Sequence, residues 1–191
     1  MARNKEYDEN EVLRKAMELF WKQGYGKTSM QDLVTHMGIH RRSIYDTFGD
    51  KHGLFMKALE RYGEIVETNI DTRVKPLDSV KQAIRRLFEM AIYRNEQQPI
   101  GCLTVNTAVE LSLHDEEATE KVVESFSKTE SLLYELLLRG QKSGEVSQNH
   151  DVERLTQFIH NSLVGLRVLV KTTDDKQKLE NIIDMTLSVL D

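Results

Sequence analysis

The sequence predicts an all-α fold, on three observations. Apolar residues recur at spacings of three and four along nearly the whole chain, the period of an amphipathic helix. No apolar–polar alternation persists, so no strand is expected. Only 2 prolines interrupt 191 residues, which permits long helices.

The first helix is expected within "DENEVLRKAMELFWKQG". There Val12, Leu13, Ala16, Leu19 and Phe20 form one stripe, Asp8 caps the start and Gly24 ends it. Thr28, followed three residues later by Gln31, reads as a capping box for a second helix over 28–37, with Met30, Leu33, Val34 and Met37 inward. Gly38 breaks that helix, and a short third one follows over 41–48. Asp50 is the expected N-cap of a long fourth helix, carried by Leu54, Phe55, Ala58, Leu59, Tyr62, Ile65 and Val66. Pro76 suits the first turn of a fifth, with Val80, Ala83, Ile84, Leu87, Phe88 and Ala91 inward. Pro99-Ile100-Gly101 punctuates the chain before a mainly apolar helix in "CLTVNTAVEL". A long amphipathic helix is expected over 116–139, closed by the loop "GQKSGEVSQNHD". Asp151 caps "VERLTQFIHNSLVGLRVLVK", and "DDKQKLENIIDMTLSVL" ends the chain. That makes roughly nine helices.

Composition removes several classes of function. One cysteine, Cys102, excludes an intrachain disulfide and a Cys-based zinc site. No run of eighteen apolar residues is present to span a membrane. "MARNKEYDENEV" lacks an apolar signal core, so a cytoplasmic protein is expected. His36 and His40 are four apart, but Gly38 lies between them where the helix ends and no third ligand is near. No metal site and no cofactor are expected.

The formal net charge is −5, yet its distribution is uneven. Residues 1–52 hold nine Lys/Arg against eight Asp/Glu. From Leu33 to Tyr45 no acidic residue occurs, while His36, His40, Arg41 and Arg42 all do. A helix, a tight glycine turn and a second short helix is the sequence form of helix-turn-helix. Its second helix would present its N-terminal residues to a DNA major groove. Arg41 and Arg42 then reach bases or phosphates, the arginine fork matching O6 and N7 of guanine. Ile44 and Phe48 face inward, and Tyr45 faces outward with a hydroxyl suited to phosphate. Lys51, in the first turn of the next helix, offers N–H groups and an ammonium to phosphate.

The stretch "AMELFWKQGYGKTSMQDLVTHMGIHRRSIYDTFGDKHGLFMKAL" resembles the DNA-binding region of TetR/AcrR-family transcriptional regulators. The shared pattern runs through Phe20, Gly24-Tyr25, Thr28-Ser29-Met30, Asp32-Leu33, Gly38, Ser43, Tyr45, Phe48, Lys51 and Leu54-Phe55. "GCLTVNTAVELSLHDEE" is similar to a segment of some members. The resemblance implies a homodimer with a helix-turn-helix DNA-binding domain, 1–50, on a helical ligand-binding and dimerisation domain, 51–191. It implies a repressor released from a palindromic operator by a small-molecule effector, and no enzyme. By the same resemblance DNA contacts fall on Thr28, Arg41, Arg42, Ser43, Tyr45 and Lys51. His40 stands where many members have a capping Ser or Thr; histidine is a poorer cap, and is expected to contact DNA instead.

An effector needs a largely apolar pocket with a few polar groups. The candidates are Tyr62, Tyr93, Cys102, Asn106, Glu110, Phe126 and Arg167, within a wider set that includes Phe55, Leu59, Met90 and Tyr134. Asn106 and Glu110, four apart on a mainly apolar helix, are the expected polar wall. The last two helices carry apolar faces through Leu155, Phe158, Ser162, Leu169, Ile182, Met185 and Val189, suited to a four-helix dimer interface. Cys102 near a helix start also fits a redox- or electrophile-sensing thiol. A plain buried cysteine, a cysteine enzyme and a non-DNA-binding adaptor are the rival readings.

Overall fold

The computed structural model describes residues 7–93 and 98–191. Among them the regular elements are all helices: α1 (Glu9–Gln23), α2 (Met30–Met37), α3 (Arg41–Phe48), α4 (Lys51–Arg73), α5 (Val80–Ile92), α6 (Leu103–Leu111), α7 (Glu116–Ser143), α8 (Val152–Leu169) and α9 (Lys176–Ser188). Residues 1–6 of the segment read above for a signal core lie outside the described residues. No described helix is long and apolar enough to cross a membrane.

Most helix starts follow from a short polar side chain that takes an orphan N–H. Asp8, Asp50, Asp115, Asp151 and Asp175 each do this. Three expectations are corrected. The capping box of α2 is Ser29 with Asp32, not Thr28 with Gln31. Ser29 Oγ accepts the Asp32 N–H at 3.1 Å, and Asp32 Oδ2 accepts the Ser29 N–H at 2.9 Å. Thr28 is fully buried, its hydroxyl donating to Gly24 O at 2.6 Å, so capping passes to the next residue. Pro76 does not start α5. Ser79 does, donating to Glu145 at 2.9 Å, and the same carboxylate accepts the Lys81 N–H at 3.2 Å. Finally α7 runs on to Ser143. Gly140 is helical and leaves room for Val146, which packs where a side chain would stand, and Gly144, at φ +81°, ends the helix.

Two apolar cores result. The first joins Val12, Ala16, Met17 and Phe20 of α1 to Leu33 and Met37, to Ile44, and to Leu54–Tyr62 of α4. It continues across residue 50 into Leu103, Val105 and Ala118. The second is built by α5, α7, α8 and α9. α4 belongs to both halves: it is well buried as far as Tyr62, then presents no fully buried residue until Val74.

Candidate nucleic-acid interface

α3 is short, and one deeply buried side chain, Ile44, holds it to the core. Gly38 makes the turn before it, at φ +73° in the left-handed region that favours glycine, its N–H bonded to Val34 O at 3.0 Å. Behind the helix the Tyr7 hydroxyl meets Thr47 Oγ1 at 2.6 Å, a brace that sequence spacing does not announce. With that side occupied, His40, Arg41, Arg42, Tyr45 and Asp46 are exposed on the other.

These side chains are held loosely. Arg42 is 87% exposed and lies 3.6 Å from Asp46. Arg41 donates to the Tyr45 hydroxyl at 3.3 Å, its guanidinium 5.8 Å from that ring. Exposed pairs of this kind are worth little and open readily. His40 provides no side-chain cap. Two cations at the positive end of a helix cost about 0.3–1 kcal/mol each, a penalty that a bound phosphate reverses.

Thr28, Ser43 and Lys51 have internal occupations. Thr28 is buried, as above. Ser43 is half-buried, its carbonyl accepting from Tyr7 at 3.5 Å. The Lys51 ammonium donates to Tyr25 O at 2.9 Å and Thr28 O at 3.0 Å, and lies 4.1 Å from the Tyr25 ring. Two of its three donors therefore build the α1–α2 loop.

The seven effector candidates do not gather around one cavity. Tyr62 is buried beside Cys102 and Leu103, within electrostatic reach of Arg167. Burial, then the nearby Cys102, pushes its hydroxyl well above the usual phenol range. The Trp21 ring meets Tyr62 edge-on at 4.8 Å. Cys102 is buried at the N-cap of α6 and makes no side-chain cap bond. Phe126 packs edge-on against buried His160 at 5.1 Å. Tyr93 is half exposed at the end of α5, donating to Glu180 at 2.6 Å. Asn106 and Glu110 face the N-terminal domain: Asn106 Nδ2 donates to Trp21 O at 3.4 Å, and Glu110 accepts the Tyr25 and Gly26 N–H groups at 2.9 and 2.6 Å. An open cleft of about 640 Å³ lies elsewhere, between the second half of α4 and α7. Leu59, Val66, Ile70, Leu132, Thr104 and Thr129 line it, under a charged rim of Glu60, Glu64, Glu67, Asp71, Glu124, Glu135, Lys75, Lys121 and Lys128. Of the wider candidate set Leu59 reaches it, and of the seven none does. Among the described residues no three His, Cys, Asp or Glu side chains cluster to hold a metal ion.

Comparison with known proteins bears on the same two halves. Residues 12–58 match the family described as bacterial regulatory proteins, tetR family, and residues 78–186 match the tetracyclin repressor-like C-terminal domain. The HTH-type transcriptional regulator YezE of Bacillus subtilis (strain 168) is 36% identical over 194 residues, with 100% of both chains covered. The HTH-type transcriptional repressor ComR of Escherichia coli (strain K12) is 28% identical, covering 97% of this chain and 90% of its own. A cysteine-substituted form of the TetR family transcriptional regulator CifR, complexed with 26-base-pair double-strand operator DNA, superposes with a TM-score of 0.88. It is 26% identical, with 99% of this chain and 100% of that one covered. The fold, the exposed arginine pair and these matches agree: the chain belongs to the tetR family of bacterial regulatory proteins, as a helix-turn-helix DNA-binding transcriptional regulator.

Proposed function

We propose that this chain acts as a cytoplasmic homodimeric repressor, released from a palindromic operator when a small molecule binds. The observation that carries the reading is the division of labour on α3, whose inner side is fixed by Ile44 and Tyr7 while His40, Arg41, Arg42 and Tyr45 stay exposed. These four residues, with the half-buried Ser43, are the direct DNA contacts in this reading. Thr28 and Lys51 contribute by shaping the loop before α2, Lys51 keeping one donor for a phosphate. Dimerisation uses the exposed Phe158 and Met185 with the half-buried Leu155 and Ile182. It sets the two recognition helices about 34 Å apart, one turn of the duplex.

The effector site is the α4–α7 cleft rather than the seven residues expected from sequence. Its volume suits a small ligand. Six rim carboxylates against three lysines favour an organic cation with an apolar body. The unburied half of α4 forms one wall and continues into the α4 segment that packs on α1. A ligand that prefers a different α4 position would therefore move the reader, and tenfold release needs about 1.4 kcal/mol of differential binding. The test is selection of duplexes from a random pool, followed by a screen for small molecules that release the selected one. Arg41→Ala should weaken binding and blur preference at one base, by about 1–3 kcal/mol. Met185→Asp should dissociate the dimer in sedimentation. A parent that selects no duplex, or binds as a monomer to half a palindrome, overturns the reading.

A second reading rests on Cys102, which sits at the helix start of α6 against the Tyr62 hydroxyl. Alkylation of its sulfur would not fit that packing and would displace α6. Electrophile-triggered DNA release that survives Cys102→Ser would remove this reading.

A further inference from the structure

The α1–α2 loop, residues 24–29, is gripped from two sides. From α4, the Lys51 ammonium takes its carbonyl oxygens, Tyr25 O and Thr28 O. From α6, the two oxygens of the Glu110 carboxylate take its consecutive amides, Oε2 from Tyr25 and Oε1 from Gly26. Two successive N–H groups aimed at one point form a small anion cradle, which a carboxylate fills with charge-assisted bonds. The glycines make the approach possible: a Cβ on Gly24 would stand 2.7 Å from Glu110 Oε2, and one on Gly26 would stand 3.0 Å from Oε1. One turn earlier on α6, Asn106 reaches Trp21 O and accepts from Lys171 Nζ, just beyond α8, at 2.9 Å. The same face of α6 thus touches the end of α1, the loop that launches α2, and the end of α8.

We propose that Glu110 is a positioning residue for DNA binding: a latch through which α6 holds the helix-turn-helix at the angle required by the duplex. Movement of α6 by about 1 Å would stretch both bonds past hydrogen-bonding range. The reader would then stay attached to α4 through Lys51 but lose its second anchor. In this proposal the arrangement with the latch closed, as seen here, is the DNA-competent one. Because the carboxylate is exposed, water competes for it and the effect is moderate.

The test compares the full-length parent, Glu110→Gln, Gly26→Ala and the double variant. Each is measured by hydrogen exchange in the peptide covering Tyr25–Thr28 and by affinity for a duplex selected with the parent. Glu110→Gln keeps the shape but loses the charge. It should speed exchange in that peptide and weaken affinity about fivefold, with the melting temperature and dimer state unchanged. Gly26→Ala, whose added methyl meets only the carboxylate, should do the same alone and add nothing to Glu110→Gln. Parent-like exchange and affinity in Glu110→Gln would overturn the proposal. So would an undiminished effect of Gly26→Ala in the double variant. The affinity arm rests on the DNA-binding reading and the exchange arm does not, so a parent that selects no duplex fails that reading while the exchange arm still tests the latch.

Discussion

The two cores are made of different materials. Around the helix-turn-helix the core is rich in rings: Phe20 meets Phe55 edge-on at 5.1 Å, Tyr25 lies 4.9 Å from Phe55, and Trp21 meets Tyr62. Side-chain bonds to backbone from Lys51, Thr28 and Glu110 lock the same region. Around α5, α7, α8 and α9 the core is aliphatic, with Phe88 its fully buried ring, and one wall of that half stands open at the α4–α7 cleft. Aromatic pairs add contacts of preferred geometry to the first core, whereas the leucine and valine packing of the second is non-directional. A reader must keep the shape that fits DNA, and under the effector response proposed above the other half must be able to change.

The largest expected effect tests whether the halves are separable. Phe20→Ala should cost about 3–5 kcal/mol of stability in the reader. DNA binding would vanish while sedimentation still reports the parent's assembly state. Leu137→Ala, at a fully buried site in the other core, should shift urea unfolding of that half and leave DNA affinity within a few-fold. Coincident loss of assembly and DNA binding in Phe20→Ala would mean one cooperative unit in place of two.

A smaller effect sharpens the reader's own anatomy by separating residues that touch phosphate from residues that shape the fold. Arg42→Ala should flatten the salt dependence of binding by about one unit. Lys51→Met keeps the hydrophobic stem over Tyr25 but loses both carbonyl bonds. It should lower the melting temperature and weaken every duplex alike, with a smaller loss of salt slope than Arg42→Ala. A slope loss for Lys51→Met equal to that of Arg42→Ala would make Lys51 a phosphate ligand first.

The reader's helices were legible because each depends on signals within a few residues: the stripe of Val12, Ala16 and Phe20, the Gly38 turn, Ile44 inward with Arg41 and Arg42 outward. The errors there were of one-residue frame. Thr28 and Ser29 both satisfy a capping pattern, and only the tertiary burial of Thr28 decides between them. In the C-terminal half the deciding contacts are remote in sequence. Glu110 is expected from its spacing to line a pocket, and its backbone partners, 84 and 85 residues earlier, lie beyond any local reading. Glu145 places the start of α5 from 66 residues away, which no local reading of Pro76 could supply. The cleft residues on α4 carry the same helical period as its buried half. Their exposure reflects how far α7 stands from α4, a distance with no signature in either segment.

The smallest expected effect concerns the pin between the two halves. His52, in the first turn of α4, meets the Asp115 carboxylate at 2.9 Å, and Asp115 caps α7 through the Ala118 N–H. That backbone bond first, and His52 after burial's opposing pull, hold the Asp115 carboxyl below its ordinary value of 3.8. A carboxyl depressed in the folded state adds stability above its unfolded pKa and loses it as pH falls through the folded value. The parent should therefore melt at a steadily lower temperature below about pH 4. Asp115→Asn should melt a few degrees lower at pH 7, and the gap should close on acidification. A gap of constant size from pH 7 down to the acid transition would show that the carboxylate's charge contributes nothing and that Asp115→Asn loses only the fit of the cap. The pin would then be geometric, and the two halves would be joined by packing alone at this point.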